Sequence, residues 1–537
     1  MFGRRVLDFS VILAALVAVA AAGRHSLGGR EAPLVQSWAE AARKWFFASF
    51  SAAEGKAAED ISAAFGLFNL EMARRVSRMP RAEMRVYAAV ADDGDALNAT
   101  LPDGRMSRSG SHHGVLLLDP FPAARFGHPV LMFFIDRGIS EKRCNTIGGK
   151  RLESGECLQV ARKNRCPNLM AAERMGGQNN RMPRHRVHMH VRCAINFIPL
   201  VRSAKEAPVR TNQRGGSVGT PEWEQRLTCR DDIPGFNNAC PALRDAESTR
   251  LVECDPLRLN SQRCDFTHEA AKTKCNIFQT CDHAVLLSGG WNRQMSDSQS
   301  LINTLAFYEM LKRNGFSEEN IKVFFANGLP ADQSRPHMYS AVMKFSLRHH
   351  LRTLCETKYC ADSLVIYLNS PTRSDGSPLL WDLDNNGEAD TNEVYTVREM
   401  LRDIQGCLSR RVIMVIDQSY SGEILKAIHN ANNLSNVIVF TSGTGHQPAW
   451  QGDFTAHWSR AMHRNTCLHQ IYEDSLKEVT RSSPSLRDTT SGEATRTTLT
   501  GAPCGAYGRP SSDEEARQQY EGCQNLPSSI YLSSVYG

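Results

Sequence analysis

The chain lacks most of the features that would assign it a partner at sight. After residue 22 no apolar run approaches the about 18 residues that a membrane span needs, and the polar carboxyl end has no hydrophobic tail of the kind a GPI-attachment signal carries. A net charge of +6, dispersed over 63 basic and 57 acidic residues, forms no concentrated basic face, so nucleic acid is not an expected partner. None of the 16 cysteines falls at C-x-x-C spacing, which leaves no zinc site of that type. His188 and His190, alternating with Arg184 and Arg186, offer two ligands without a third and read as the solvated face of a strand.

What is present points to the secretory route. Arg4 and Arg5 precede an apolar run from Phe9 to Ala22 that ends in small residues before Gly23, the pattern of a signal peptide removed near Ala22; a signal anchor is the competing reading. The expected location is extracellular, or the lumen of the secretory pathway, with no stable membrane span. All the cysteines follow that segment and their number is even, which in an oxidising compartment argues for disulfides. Cys355 with Cys360, and Cys504 with Cys523, are the local bridges expected from spacing. Two sequons, at Asn98 and Asn433, suit a secreted glycoprotein.

At 537 residues and 41% hydrophobic content the chain can fill two or three cores. The segments expected are a signal peptide over 1–22, a helical segment over 23–80, a cysteine-rich mainly β or α+β domain over 81–280, an α/β domain over 281–465 and a polar extension with a disulfide over 466–537. Trp38, Trp45, Phe46 and Phe50 carry the helical period, and short strands are expected at 85–90, 114–118, 130–136 and 187–200. Residues 205–222 read as a linker, and the Ser/Thr-rich 482–503 as flexible.

In the 281–465 segment strands and helices alternate, the pattern of a mostly parallel sheet flanked by helices. Strands are expected at 283–290, 321–325, 363–369, 411–417 and 437–440. One helix carries Leu301, Leu305, Tyr308 and Leu311, opens on a Ser296 to Gln299 capping box and stops at Gly315; a second covers 338–352. The 411–417 run ends in Asp417-Gln418-Ser419-Tyr420-Ser421-Gly422, which places Ser419 at the carboxyl end of a buried strand, where such sheets bind ligands.

This segment resembles the caspase-like cysteine peptidases, especially the legumain and GPI-transamidase group, whose nucleophile strand ends in an Asp-x-Cys-x-Ser-Gly type turn. Serine stands here at the cysteine position. The 363–369 strand, followed by Ser370, Pro371 and Thr372, is similar to the family strand that runs into Gly-His-Gly, with Pro371 at the histidine position. Proline takes no proton and donates no backbone hydrogen bond, and a serine hydroxyl is a weak nucleophile without a base. The resemblance therefore implies a fold without its dyad. Such a protein would be a pseudoenzyme acting as a binding or scaffold module for a protein or peptide. The alternative is a hydrolase or transpeptidase using Ser419 or an unmatched residue, with His446 or His457 as displaced base. Without a base, Ser419 reads as a helix-capping serine, and Asp417 as a structural neighbour.

Between the two strands, Asp382 to Glu393 satisfies the calcium-loop pattern D-x-D-x-N-G-x₅-E. The expected ligands are Asp382, Asp384, Asn386, the Glu388 carbonyl, Asp390 and Glu393, with Gly387 at the turn. A helix from Thr396 should leave the loop, whereas 378–381 is too short and Pro-bounded to enter it as a helix. An acidic surface loop is the alternative reading.

Overall fold

The computed structural model describes residues 31–51, 70–102, 112–161, 197–206, 224–243, 275, 280–326, 338–342, 344–431, 433–450, 452–460, 466–501, 504 and 523–524. The signal-like segment, His188, His190, most of the 187–200 strand and nearly all of the 205–222 linker lie outside them.

The carboxyl-terminal half is built on a parallel sheet. Its strands are β9 (Thr280–Ser288), β10 (Ile321–Phe325), β11 (Met338–Ser340), β12 (Ala361–Leu368), β13 (Arg411–Ile416) and β14 (Val437–Thr441), with β15 (Ser485–Asp488) closing one edge antiparallel. The order is β11-β10-β9-β12-β13-β14-β15, and β16 (Cys523–Gln524) pairs antiparallel with the start of β9. The expected neighbours β12 and β13 are parallel, in register from Ser363 opposite Arg411 to Leu368 opposite Ile416.

Both faces are covered, because alternate residues of a strand point to opposite sides. Leu364, Ile366, Leu368, Val412, Met414 and Ile416 join the core under the helices Lys344–Glu356, Val397–Ile404 and Ser421–His429. Val365, Tyr367, Ile413 and Val415 face the other way, against Ser298–Arg313, Asp453–Arg460 and Leu468–Glu478. Continuous Val/Ile-rich strands buried on both faces are what the sequence displayed.

Several expectations need correction. The first helix is capped by Asp297, whose carboxylate accepts from Ser300 N–H at 2.8 Å, while Ser296 turns back to the Asn292 carbonyl. Residues 338–340 are an edge strand and the second helix starts at Lys344, since Met338, Tyr339 and Ser340 pair with β10 before the helical period takes over. Cys355 pairs with Cys407, Cys360 with Cys275, and Cys504 with Cys467. Cys355 ends its helix facing the turn after Ile404, where Leu408 N–H donates to its carbonyl, so the nearer cysteine in sequence is not the nearer in space. The Ser/Thr-rich tail holds β15, fixed by Thr489 Oγ1 on Val437 and by Asp488 on Thr490 and Ala494.

The amino-terminal half forms a six-stranded sheet ordered β5-β6-β4-β3-β1-β8, with β1 Arg85–Val90, β3 Gly114–Asp119, β4 Leu131–Asp136, β5 Lys150–Arg151, β6 Cys157–Val160 and β8 Thr228–Arg230. A separate ribbon pairs β2 (Leu97–Thr100) with β7 (Leu200–Ser203). One sheet face packs on the helix over 31–51 and on Leu70–Arg78, through Trp38, Phe46 and Val76. The other, with Tyr87, Val115, Leu117 and Phe134, shares a core with Trp291, Met295, Leu379 and Val394 of the parallel-sheet half. The bridges Cys144–Cys157 and Cys229–Cys240 brace this lobe. No helix among the described residues is long and apolar enough to cross a membrane.

Candidate functional site

The ends of β12 and β13 bring the Pro371 and Ser419 turns together. Thr372 Oγ1, beside Pro371, donates to the Ser419 carbonyl at 2.9 Å, and Ser370 Oγ accepts from Gly289 N–H at 2.7 Å. Pro371 is buried and its carbonyl accepts from Leu379 N–H, which starts the path to the acidic loop. Ser419 is fully buried, and its Oγ accepts from Ala449 N–H at 3.1 Å. It does not cap the following helix. That position belongs to Tyr420, which turns the chain through left-handed backbone at φ 59°, so the serine side chain points to the 449 segment instead.

No imidazole hydrogen-bonds Ser419 among the described residues. His457 places Nδ1 against Glu478 at 3.1 Å and Nε2 against the Ile471 carbonyl at 3.0 Å. His446 is half-buried, with burial and the nearby Lys426 lowering its pKa. Asp417 accepts from both the N–H and the hydroxyl of Thr455, at 3.2 and 2.6 Å. Burial raises its pKa, against the opposing charge of Arg125. Tyr367 and Asn369 extend this chamber: the Tyr367 hydroxyl bonds Thr455 Oγ1 at 2.7 Å and Asn369 Nδ2 at 2.7 Å.

Arg125 and its neighbours were not legible as site residues, since they lie almost 300 positions before Ser419 and carry no motif. The segment after β3 crosses to the strand ends, where Ala124 bridges antiparallel to Trp450 and Arg125 N–H donates to the Ala449 carbonyl at 2.7 Å. A Cβ added at Gly127, which has φ +100°, would lie 3.0 Å from the Thr372 carbonyl oxygen, so this chain passes directly over the Pro371 turn.

The acidic loop brings three of its six expected ligands together. Asp382, Asp384 and Glu393 each bring a carboxylate oxygen within 4.8 Å of the other two. Gly387, at φ +76°, and Asn386 donate their N–H groups to Asp382 at 2.9 and 3.1 Å, and Leu383 and Asp390 donate to Glu393 at 2.8 and 2.9 Å. Asn386 bonds Asp384 through Nδ2 at 2.8 Å and accepts from Glu388 N–H at 2.6 Å. Burial, then the charge of Glu393, pushes the Asp382 carboxyl well above the usual carboxylate range; burial pushes Glu393 up to about 7. Oxygen ligands carrying uncompensated negative charge in one fold fit a hard divalent cation. Glu388 is half-buried, with Arg202 as its charged neighbour, and the Asp390 residue is exposed. The loop leaves through Thr396, which forms a capping box with Glu399. It docks on the β2–β7 ribbon, where Ala389 N–H donates to the Pro102 carbonyl at 2.9 Å.

A second cluster, Cys275, His283 and Cys360, has metal-ligand spacing, but its cysteines are joined as a disulfide and offer no thiolate. Burial, then His350, pushes the His283 imidazole down to about 3, which keeps it neutral. Of the sequons, Asn433 lies in an exposed turn and Asn98 is half-buried in β2. A cavity of about 580 Å³ opens between the lobes, bounded by Tyr87, Leu227, Leu243, Asn292 and Asp382.

No family model matches the chain, and no curated protein matches it. Among solved structures, caspase-1 from Spodoptera frugiperda aligns over 44% of this chain and 96% of its own, at 8% identity and a TM-score of 0.25. At so low a score the fold class rests on the strand order itself: a mostly parallel α/β sheet with helices on both faces.

Proposed function

We propose that the protein is a secreted or luminal, catalytically inactive relative of the legumain and GPI-transamidase group, acting as a binding or scaffold module for a protein or peptide. One observation carries this reading. Ser419 Oγ is buried and accepts from Ala449 N–H, with no imidazole bonded to it among the described residues. Nucleophilic catalysis by a hydroxyl requires a base within hydrogen-bond reach of its proton. Pro371, at the position matched to the family histidine, supplies none.

In this reading the 382–393 loop takes calcium through Asp382, Asp384, Asn386, the Glu388 carbonyl, Asp390 and Glu393. The ion supplies the positive charge that the clustered carboxylates lack, and the residues around it hold the loop against β2 and β7. Paired cysteines and the signal-like amino terminus support the compartment.

The test is to incubate the purified chain with asparaginyl and basic peptide substrates beside a Ser419→Ala control. No turnover above that control is expected. Turnover that vanishes in the alanine variant would make Ser419 a nucleophile and end the inactive reading.

A further inference from the structure

At the amino-terminal ends of the parallel strands, the edge opposite Ser419, lies a side-chain cluster that the proposed function does not use. Cys360 immediately precedes β12, His283 lies in the first half of β9, and Cys275 stands shortly before β9. A sulfur from each cysteine and one ring nitrogen of His283 all lie within 4.8 Å of one another. His283 Nε2 is 3.8 Å from Cys360 Sγ. His283 is 1% exposed and Cys360 is fully buried, whereas Cys275 is only partly buried, which makes Cys275 the approach from solvent. The strands are irregular at the same place. Ala361 stands opposite Cys281 and Leu364 opposite His283, so β12 carries one extra residue between these pairs. Bulges are rare in parallel pairs, and they recur beside functional sites, where they re-aim side chains.

Two thiolates and a neutral imidazole are the donor set of zinc and similar thiophilic cations, and three protein ligands leave a fourth position open. The Cys275–Cys360 bridge withholds two of those donors, and a two-electron reduction releases them. We propose that this disulfide and a thiophilic divalent cation of the zinc type are alternative occupants of one site, formed by Cys275, His283 and Cys360. A dithiol reductant supplies the electrons: its two thiols close to a disulfide, the Cys275–Cys360 bond breaks, and each freed sulfur takes one of the two protons. Zinc then displaces those two protons and is held by both sulfurs and the imidazole. The chain is already in place for it, because the two cysteine Cα atoms are 4.9 Å apart and His283 is fixed on a strand paired on both sides. The site shares no residue with the acidic loop or with the Ser419 turn, so its test and theirs fail separately.

The experiment is site-resolved alkylation of full-length protein reduced with a water-soluble phosphine, with and without zinc chloride, each cysteine being read by peptide mass mapping. Zinc is expected to slow alkylation of Cys275 and Cys360 by about tenfold or more. The thiols of Cys144, Cys157, Cys229 and Cys240, which belong to no such cluster among the described residues, should gain no protection. In His283→Ala the protection of Cys275 and Cys360 should fall by about tenfold or more. Zinc that protects neither cysteine, protection spread evenly over all reduced cysteines, or protection that His283→Ala retains overturns the proposal.

If His283→Ala does not fold, cobalt(II) in place of zinc decides. Reduced wild type is expected to develop the visible absorption of a tetrahedral thiolate site, saturating at equimolar cobalt and lost in Cys360→Ser. Reduced wild type that stays colourless, or colour that Cys360→Ser retains, overturns the proposal.

Discussion

A hydroxyl that holds a backbone amide inside the protein serves packing first, and Ser419 does so just past the carboxyl end of β13. Ser419→Ala leaves Ala449 N–H without that partner, and an orphaned buried donor costs about 1–3 kcal/mol. Urea denaturation should show that loss; an unchanged midpoint would mean that Ala449 finds another acceptor. His128 is the second residue whose surroundings dictate its state. Both ring nitrogens face acceptors, the Arg125 carbonyl and the Asp119 carboxylate, so the imidazolium is the form that satisfies both. Burial opposes the charge, as does Arg85, but Asp119 and the carbonyl outweigh them and the pKa is raised. A raised folded pKa gives stability that is complete below the ordinary histidine range of about 6.5 and is lost as pH rises through the folded value. Urea midpoints measured from pH 5.5 to 9 should therefore fall on the alkaline side, less so in His128→Gln. The sequence revealed the buried strand end that carries Ser419. It could not reveal that Tyr420 takes the left-handed turn and so redirects the serine, because that follows from packing against residues 447–449.

At the scale of elements, the acidic loop and the strand starts carry the testable chemistry. Calcium binding should raise the melting temperature with the logarithm of ligand excess, stabilising the fold by about 2.7 kcal/mol at a hundredfold excess over Kd. The shift should vanish in Asp382→Asn with Glu393→Gln, and scanning calorimetry with and without calcium reads it directly. An unshifted wild-type transition at millimolar calcium would leave an acidic surface loop. Arg411 begins β13 fully buried, bonded to Ser363 at 3.3 Å and paired with Asp362 at 3.5 Å and Glu493 at 3.3 Å. Removing one partner of a buried ion pair strands the other, so Arg411→Ala should lose about 3–5 kcal/mol by urea denaturation. A loss under about 1 kcal/mol would show that water screens Asp362. Strands 363–369, 411–417 and 437–440 were legible because hydrophobic runs buried on both faces leave a plain mark. Edge strands β11 and β15 were not, since pairing on one side makes weak demands on composition. Cysteine partners were hidden for a different reason: bridges such as Cys275–Cys360 join elements that only the fold brings together.

Across the whole molecule, the sequence reads as a cysteine-rich unit followed by an α/β unit, and that division describes the chain better than its core. Tyr87, Val115 and Leu117 pack in one cluster with Trp291, Met295 and Leu379, so the two halves bury each other's apolar surface. Cooperative unfolding follows from a shared core. The same burial bears on how the protein can vary. With Ser419 and Pro371 enclosed beneath residues 124–127, replacements at either position meet neighbouring backbone before they meet solvent. In a saturation library scored for soluble expression, the residues accepted at 419 should therefore sort by side-chain volume, with alanine, glycine and cysteine retained and histidine, arginine and tryptophan purged, whatever their nucleophilicity.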